Sequence, residues 1–242
     1  MEHKQAEKRI QRMTSGQPVY PALLKEIRDY PKELYYIGDP KLLEEKCVSI
    51  VGSRKTNQYG RSTAYSFGKA LGQRGITVVS GMAVGIDTCA HEGALQEKGN
   101  TAAVLACGLD LCYPPRNREL KEKIESAGIV LSEYPPGTAA QRYYFPQRNR
   151  IISGLSPLTV VVQAGNRSGA LITAELAADQ GRDVGAVPGN IDSEYNLGSN
   201  KLLREGAFAL TGVQDLLEAS GVSVMSEPEA ERLLSDEEKQ LY

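Results

Sequence analysis

The stretch CVSIVGSRKTNQYGRSTAYSFGKALGQRGITVVSG, residues 47–81, decides how the rest of the chain is read. It opens on a short apolar, β-branched run, CVSIVG. A polar loop follows, then a helix-like stretch over 58–74, then a second apolar run, ITVVSG. Near-continuous apolar runs suit strands buried on both faces, and strand–helix–strand implies a parallel pair. Working outward, the pattern continues. TAAVLAC, GIVLSE, LTVVVQA and DVGAVPG begin near residues 101, 128, 158 and 183, with helix-like stretches at 86–98, 117–127, 147–154 and 168–181. Two more short helices are expected within 197–220. The expectation is an α/β fold with a mostly parallel sheet and helices on both faces. Upstream, 5–13 reads as a short helix, and the proline-punctuated 18–40 as a helical turn plus extended pieces. The chain divides into an N-terminal segment 1–40, a main domain 41–220, and an acidic linker or start of a further domain, 221–242. Within the last, Ser235 is read as the N-cap of a helix start.

Composition bounds the function. The 242 residues are 41% hydrophobic and 24% charged, the balance of a globular domain with a core of its own. No apolar run is long enough to span a membrane, and the charged N-terminus lacks a signal peptide's apolar centre. Four cysteines at 47, 89, 107 and 112 show no CxxC spacing, so reduced thiols and a cytoplasmic location are expected. Only two histidines are present, which excludes a multi-histidine metal site. Net charge is −2, but residues 226–242 carry −4, leaving +2 for the rest. Any polyanion site is therefore a local patch.

Ligands of parallel α/β sheets bind where strands run into helix N-termini. Nearly every such loop here holds glycine: Gly52-Ser53-Arg54, Ser80-Gly81-Met82, Cys107-Gly108, Gly165 to Gly169, and Pro188-Gly189. Glycine lets backbone N–H groups approach an anion, and helix N-termini favour negative charge. One such loop is ordinary strand-to-helix geometry; five together read as a phosphate-binding floor. GxGxxG, GxxxxGK[ST] and GxSxG are all absent, which disfavours a dinucleotide fingerprint, a P-loop and a hydrolase elbow.

The strongest constellation is RYYFPQRNR, residues 142–150, with three arginines, three aromatics and an asparagine. Arginine forks onto phosphate and aromatic faces stack bases, the footprint of single-stranded nucleic acid. A plain helix start with paired arginines and packed tyrosines is the competing reading. The other candidates have blander readings too. Asp87 caps a helix and His91 lies within its reach, more simply a structural polar contact than an acid/base pair. Cys89 points away from His91. Glu175 is read as a helix-surface residue, because the Gly-Gly-x-Gly-Thr-x-x-Glu stretch of nucleoside-monophosphate hydrolases is missing around it.

The strings IVGSRKTNQYGR (50–61), VVSGMAVGIDTCAHEGAL (78–95), FPQRNRIISGLS (145–156) and GSNKLLREGA (198–207), with others between, resemble the DprA/Smf family of bacterial DNA-processing proteins from about Tyr20 to Leu217. The resemblance implies an extended Rossmann-like fold that binds single-stranded DNA during natural transformation, protects it and helps load RecA. By position it implies DNA contacts at Gly52, Ser53, Arg54, Ser80, Gly81, Met82, Arg142, Phe145, Arg148, Asn149, Arg150, Ser168 and Gly169. It implies a homodimer through the segment holding Asn200, Leu202 and Leu203. No cofactor, metal or catalytic residue is expected. Gln163 stands where the family often has glutamate. Full-length members often carry an N-terminal helical domain and a C-terminal winged helix, so this chain is either a short member or cut where a further domain begins. Two other classes stay open: a phosphoribohydrolase-like enzyme using the same pocket, and a small-nucleotide sensor.

Overall fold

A computed structural model describes residues 10–96 and 99–222. Among the described residues nine strands form one sheet. They are β1 (Gln11–Thr14), β2 (Glu33–Gly38), β3 (Cys47–Val51), β4 (Thr77–Ser80), β5 (Thr101–Leu105), β6 (Ile129–Ser132), β7 (Leu158–Val161), β8 (Asp183–Ala186) and β9 (Phe208–Ala209). Their spatial order is β1-β2-β6-β5-β4-β3-β7-β8-β9. From β6 through to β9 every neighbouring pair is parallel; β1–β2 and β2–β6 are antiparallel. The expected mostly parallel α/β architecture is present.

Seven α-helices of the described residues cover the sheet: α1 (Gln58–Gln73), α2 (Ile86–Gln96), α3 (Arg118–Ala127), α4 (Tyr144–Gly154), α5 (Gly169–Asp179), α6 (Leu197–Arg204) and α7 (Val213–Ala219). Alternate strand residues serve opposite layers. Val48 and Ile50 pack with Phe67 and Leu71 of α1 and Ile86 of α2, while Cys47 and Val51 pack with Ile151 and Ile152 of α4. Burying a leucine- or isoleucine-sized side chain is worth about 1.5–3 kcal/mol, so these two layers supply most of the drive to fold. The segment before β2 closes over α4. Leu24 and Ile27 lie so near Gly154 that a Cβ there would meet Leu24 Cδ1 at 2.8 Å.

Residues 11–14 correct the expectation of a helix over 5–13. They form an edge strand whose register pairs Gln11 with Tyr36 and Thr14 with Glu33. The partner lies 19 to 25 residues away, so no local pattern announces it. Residues 1–9, 97–98 and 223–242 lie outside the described residues, and with them the Ser235 cap and the acidic tail.

His91 is fully buried, and its Nδ1 lies 2.6 Å from Thr101 Oγ1. It is a structural polar contact as expected, with Thr101 as partner. Burial, and secondarily the Arg148 charge, lowers its pKa to about 3. The folded chain therefore takes up that proton less readily than the unfolded chain. Its contribution is complete above the usual pKa near 6.5 and is lost as pH falls below it. Asp87, raised by burial, works in the opposite direction between about pH 4 and 6. The His91 share is thus read as a difference. From pH 6 to 5, wild type should lose about 1.4 kcal/mol more than His91→Gln in urea titrations. Equal slopes would place an accessible imidazole at 91.

Candidate nucleic-acid interface

The strand order reverses at β3. The chain runs from β3 to β4, β5 and β6 on one side, then returns through α4 to β7 on the other. A cavity of about 360 Å³ opens there, at the carboxyl ends of β3 and β7. Three pieces of chain build most of its walls, with Ala83 and Asp87 adding to them. Gly52, Ser53 and Arg54 follow β3; Phe145, Arg148 and Asn149 belong to α4; Arg167, Ser168 and Gly169 lead into α5.

Each piece is held in place. Ser168 is the N-cap of α5, accepting from Ala170 N–H at 3.3 Å, and Ser53 Oγ lies 3.2 Å from Ser168 Oγ. The Ser53 amide donates to the Gln163 carbonyl at 2.7 Å. Behind the loop, Gly85 adopts φ +92; a Cβ there would fall 2.5 Å from the Ser53 carbonyl oxygen. Glycine alone suits that conformation and that approach. Gln163 is buried, accepting from Thr56 Oγ1 at 2.6 Å and donating to Asn57 and Asn196. It acts as a tie between loops.

Helix α4 starts at Tyr144, earlier than 147, so Phe145 lies in its first turn. Pro146 fits there because first-turn N–H groups need no helical partner. Phe145 is half-buried at the cavity rim. The Arg54 guanidinium carbon lies 4.9 Å from its ring centroid, and the Tyr113 ring centroid 5.4 Å away. Arg54 itself is exposed.

The arginines of α4 differ in role. Arg148 is 4% exposed and donates to the carbonyls of Gly81 and Val104. It faces buried Asp87 across Gly81; a Cβ on that glycine would meet Arg148 Nη2 and Asp87 Oδ2 at 2.8 Å each. Asp87 accepts from the Gly81 and Ala83 amides. Burial raises its pKa to about 6, against the pull of Arg148 and the backbone donors. Burial likewise lowers Arg148 to about 10. Arg150 is not among the cavity's lining residues; it pairs with Asp29 at 2.9 Å and Glu133 at 2.7 Å. Arg142 is exposed and lies outside the cavity lining. Asn149 lines the cavity and donates to the Gly169 carbonyl at 3.4 Å.

Ser80 and Met82 do not line the cavity. Ser80 Oγ donates to the Ile50 carbonyl at 2.6 Å, and buried Met82 holds φ +59, a strained conformation for a residue with a side chain. Asp87 and Arg167 also line the cavity; the sequence assigns Arg167 no role of its own and shows Asp87 as a helix cap within reach of His91. Glu175 is exposed on α5 and is not among the lining residues. In α6, Asn200 clamps Gly189 through two hydrogen bonds, and Leu202 and Leu203 are both half-buried. Among the described residues no helix is long and apolar enough to cross a membrane, and no group of three or more His, Cys, Asp or Glu is placed to hold a metal ion.

A mostly parallel α/β sheet with a cavity at the point where its strand order reverses defines a Rossmann-like domain, and that point is where such sheets bind their ligands. Comparison gives the family. The model of the DNA recombination-mediator protein A family matches residues 11–221, and the chain belongs to this DprA/Smf family. The protein Smf of Synechocystis is 41% identical over 96% of this chain, which spans 59% of that protein's length. The solved DNA processing protein A of Streptococcus pneumoniae is 41% identical, with a TM-score of 0.84 over 87% of this chain and 74% of that one. That of Helicobacter pylori, described by its single-stranded DNA binding mode, is 30% identical, with a TM-score of 0.79 over 87% of this chain and 96% of that one.

Proposed function

We propose that this chain binds single-stranded DNA at the switch-point cavity, without catalysis, as part of DNA processing in natural transformation. The observation that carries the reading is Arg54 poised over the Phe145 ring at the mouth of a cavity walled by Ser53, Ser168 and Gly169. A strand offers what each part recognises: phosphate to the guanidinium and backbone amides, and a base face to the ring. The Helicobacter relative's binding of single-stranded DNA supports it.

Within this proposal, Ser53, Arg54, Phe145, Asn149, Ser168 and Gly169 touch the strand, and exposed Arg142 meets a phosphate beyond the cavity. Ser80, Gly81, Met82, Arg148 and Arg150 hold the frame, because their polar groups are already committed or buried. Binding is favoured over hydrolysis by Asp87, the carboxylate lining this cavity, whose oxygen is taken by backbone amides opposite Arg148. Self-association through α6 and the loading of RecA are proposed on family resemblance. A cytoplasmic site of action follows from the same role.

The test is a titration against single-stranded DNA, duplex and a nucleoside monophosphate. Preference for the single strand, with affinity rising with strand length, is expected. Equal affinity for duplex would overturn the reading, and release of base from the monophosphate would promote a hydrolase. Arg54→Ala should weaken binding and remove about 0.7 from the log–log salt slope, the share of one single-strand phosphate. An unchanged slope would mean that this side chain does not touch the backbone.

A further inference from the structure

Consecutive residues on a helix point about 100° apart, so the aromatic run at the start of α4 serves two directions. Phe145 turns to Tyr113 and Arg54. Tyr144 turns instead to Tyr134, with ring centroids 4.0 Å apart and planes tilted by 37°. Tyr134 Oη lies 3.1 Å from Gln147 Oε1, which fixes that ring on the helix. Tyr143 meets Tyr144 at 4.5 Å and 62°, and is 55% exposed. None of these three tyrosines belongs to the apolar core clusters that hold Tyr20 and Tyr36. The local charge is favourable to an anion. Arg142 is exposed and forms no ion pair among the described residues, and nearby Glu133 is taken by Arg150.

We infer that Tyr143 and Tyr144, braced by Tyr134, form a second stacking surface that takes unpaired bases of the strand as it leaves the Phe145 cavity. The inference rests on the cavity's being a single-stranded DNA site. Its occupant is argued from continuity: Tyr144 and Phe145 adjoin, so a strand held at the cavity mouth passes the tyrosines. Every base offers a π-face, and rings already fixed against one another lose little freedom on stacking. Arg142 would take the phosphate between the two surfaces.

The experiment compares a short oligothymidylate of about three nucleotides with one of about twelve. Tyr143→Ala should weaken the long strand by about fivefold or more and leave the short one unchanged. Tyr143→Phe should keep wild-type affinity, since the ring and not the hydroxyl acts. Thermal melting should be unaffected in both variants. No loss at either length, or an equal loss at both, overturns the inference. Phe145→Ala is the control for the underlying reading and should weaken both lengths. If it does while Tyr143→Ala does nothing, only the second surface falls. If wild type binds neither strand, both readings fall together.

Discussion

Replacing Arg148 by alanine should cost about 3–5 kcal/mol of folding stability, the effect of stripping a buried charge of its partner. The side chain is 4% exposed, and its donors serve the carbonyls of Gly81 and Val104. Its loss leaves those acceptors unpaired and Asp87 buried without the opposing charge. Against the roughly 5–15 kcal/mol that holds a typical domain together, this is a large share. The loss should grow as pH rises from about 5 to 8. Without the guanidinium, Asp87 moves still further above its unfolded pKa, and a raised carboxyl destabilises wherever the unfolded chain is ionised. The double variant Asp87→Asn/Arg148→Met should recover part of the loss, since it removes both charges. Urea midpoints at two pH values decide the matter. A loss below about 1 kcal/mol would show that water reaches the guanidinium.

Phe145→Ala should act on binding more than on folding. The ring is half-buried at the cavity rim, so its removal opens little core. If it stacks a base, affinity for single-stranded DNA should fall by about 1–3 kcal/mol, or about 5- to 150-fold. The salt slope should stay at the wild-type value, because no charge is lost. That separates it from Arg54→Ala, which flattens the slope. A large drop in denaturation midpoint with normal affinity per folded molecule would make Phe145 a core residue and remove it from the site.

The central strands were legible because burial on both faces writes itself as unbroken apolar, β-branched runs, as at Cys47–Val51 and Leu158–Val161. Strand β1 was not legible. Its four residues alternate little, and it exists through pairing with β2. The glycine loops of the site were readable as strand-to-helix turns. The division of labour among the arginines of α4 was not, because one side chain looks like another in a run of charge. Helix phase does carry a signal. Arg148 precedes Ile151 by three and Ile152 by four, so it shares their apolar face, whereas the residues three and four beyond Arg150 are Ser153 and Gly154. Asp87 follows from the same reasoning one step on, since a cation turned inward needs a counter-charge near it.

The reversal of strand order at β3 has a consequence for the protein's persistence. Most of the cavity's walls come from residues 52–54, 145–149 and 167–173, stretches up to about 120 positions apart along the chain. None can form the site alone, and any opening that parts α4 from β3 abolishes it. On the proposed function, a bound strand would be a reversible cross-link between remote parts of the polypeptide. At a free concentration a hundred times its dissociation constant it would add about 2.7 kcal/mol to the folded state. Resistance to proteolysis and to heat should then track the supply of single strands, so that the molecule lasts longest while its cargo is present.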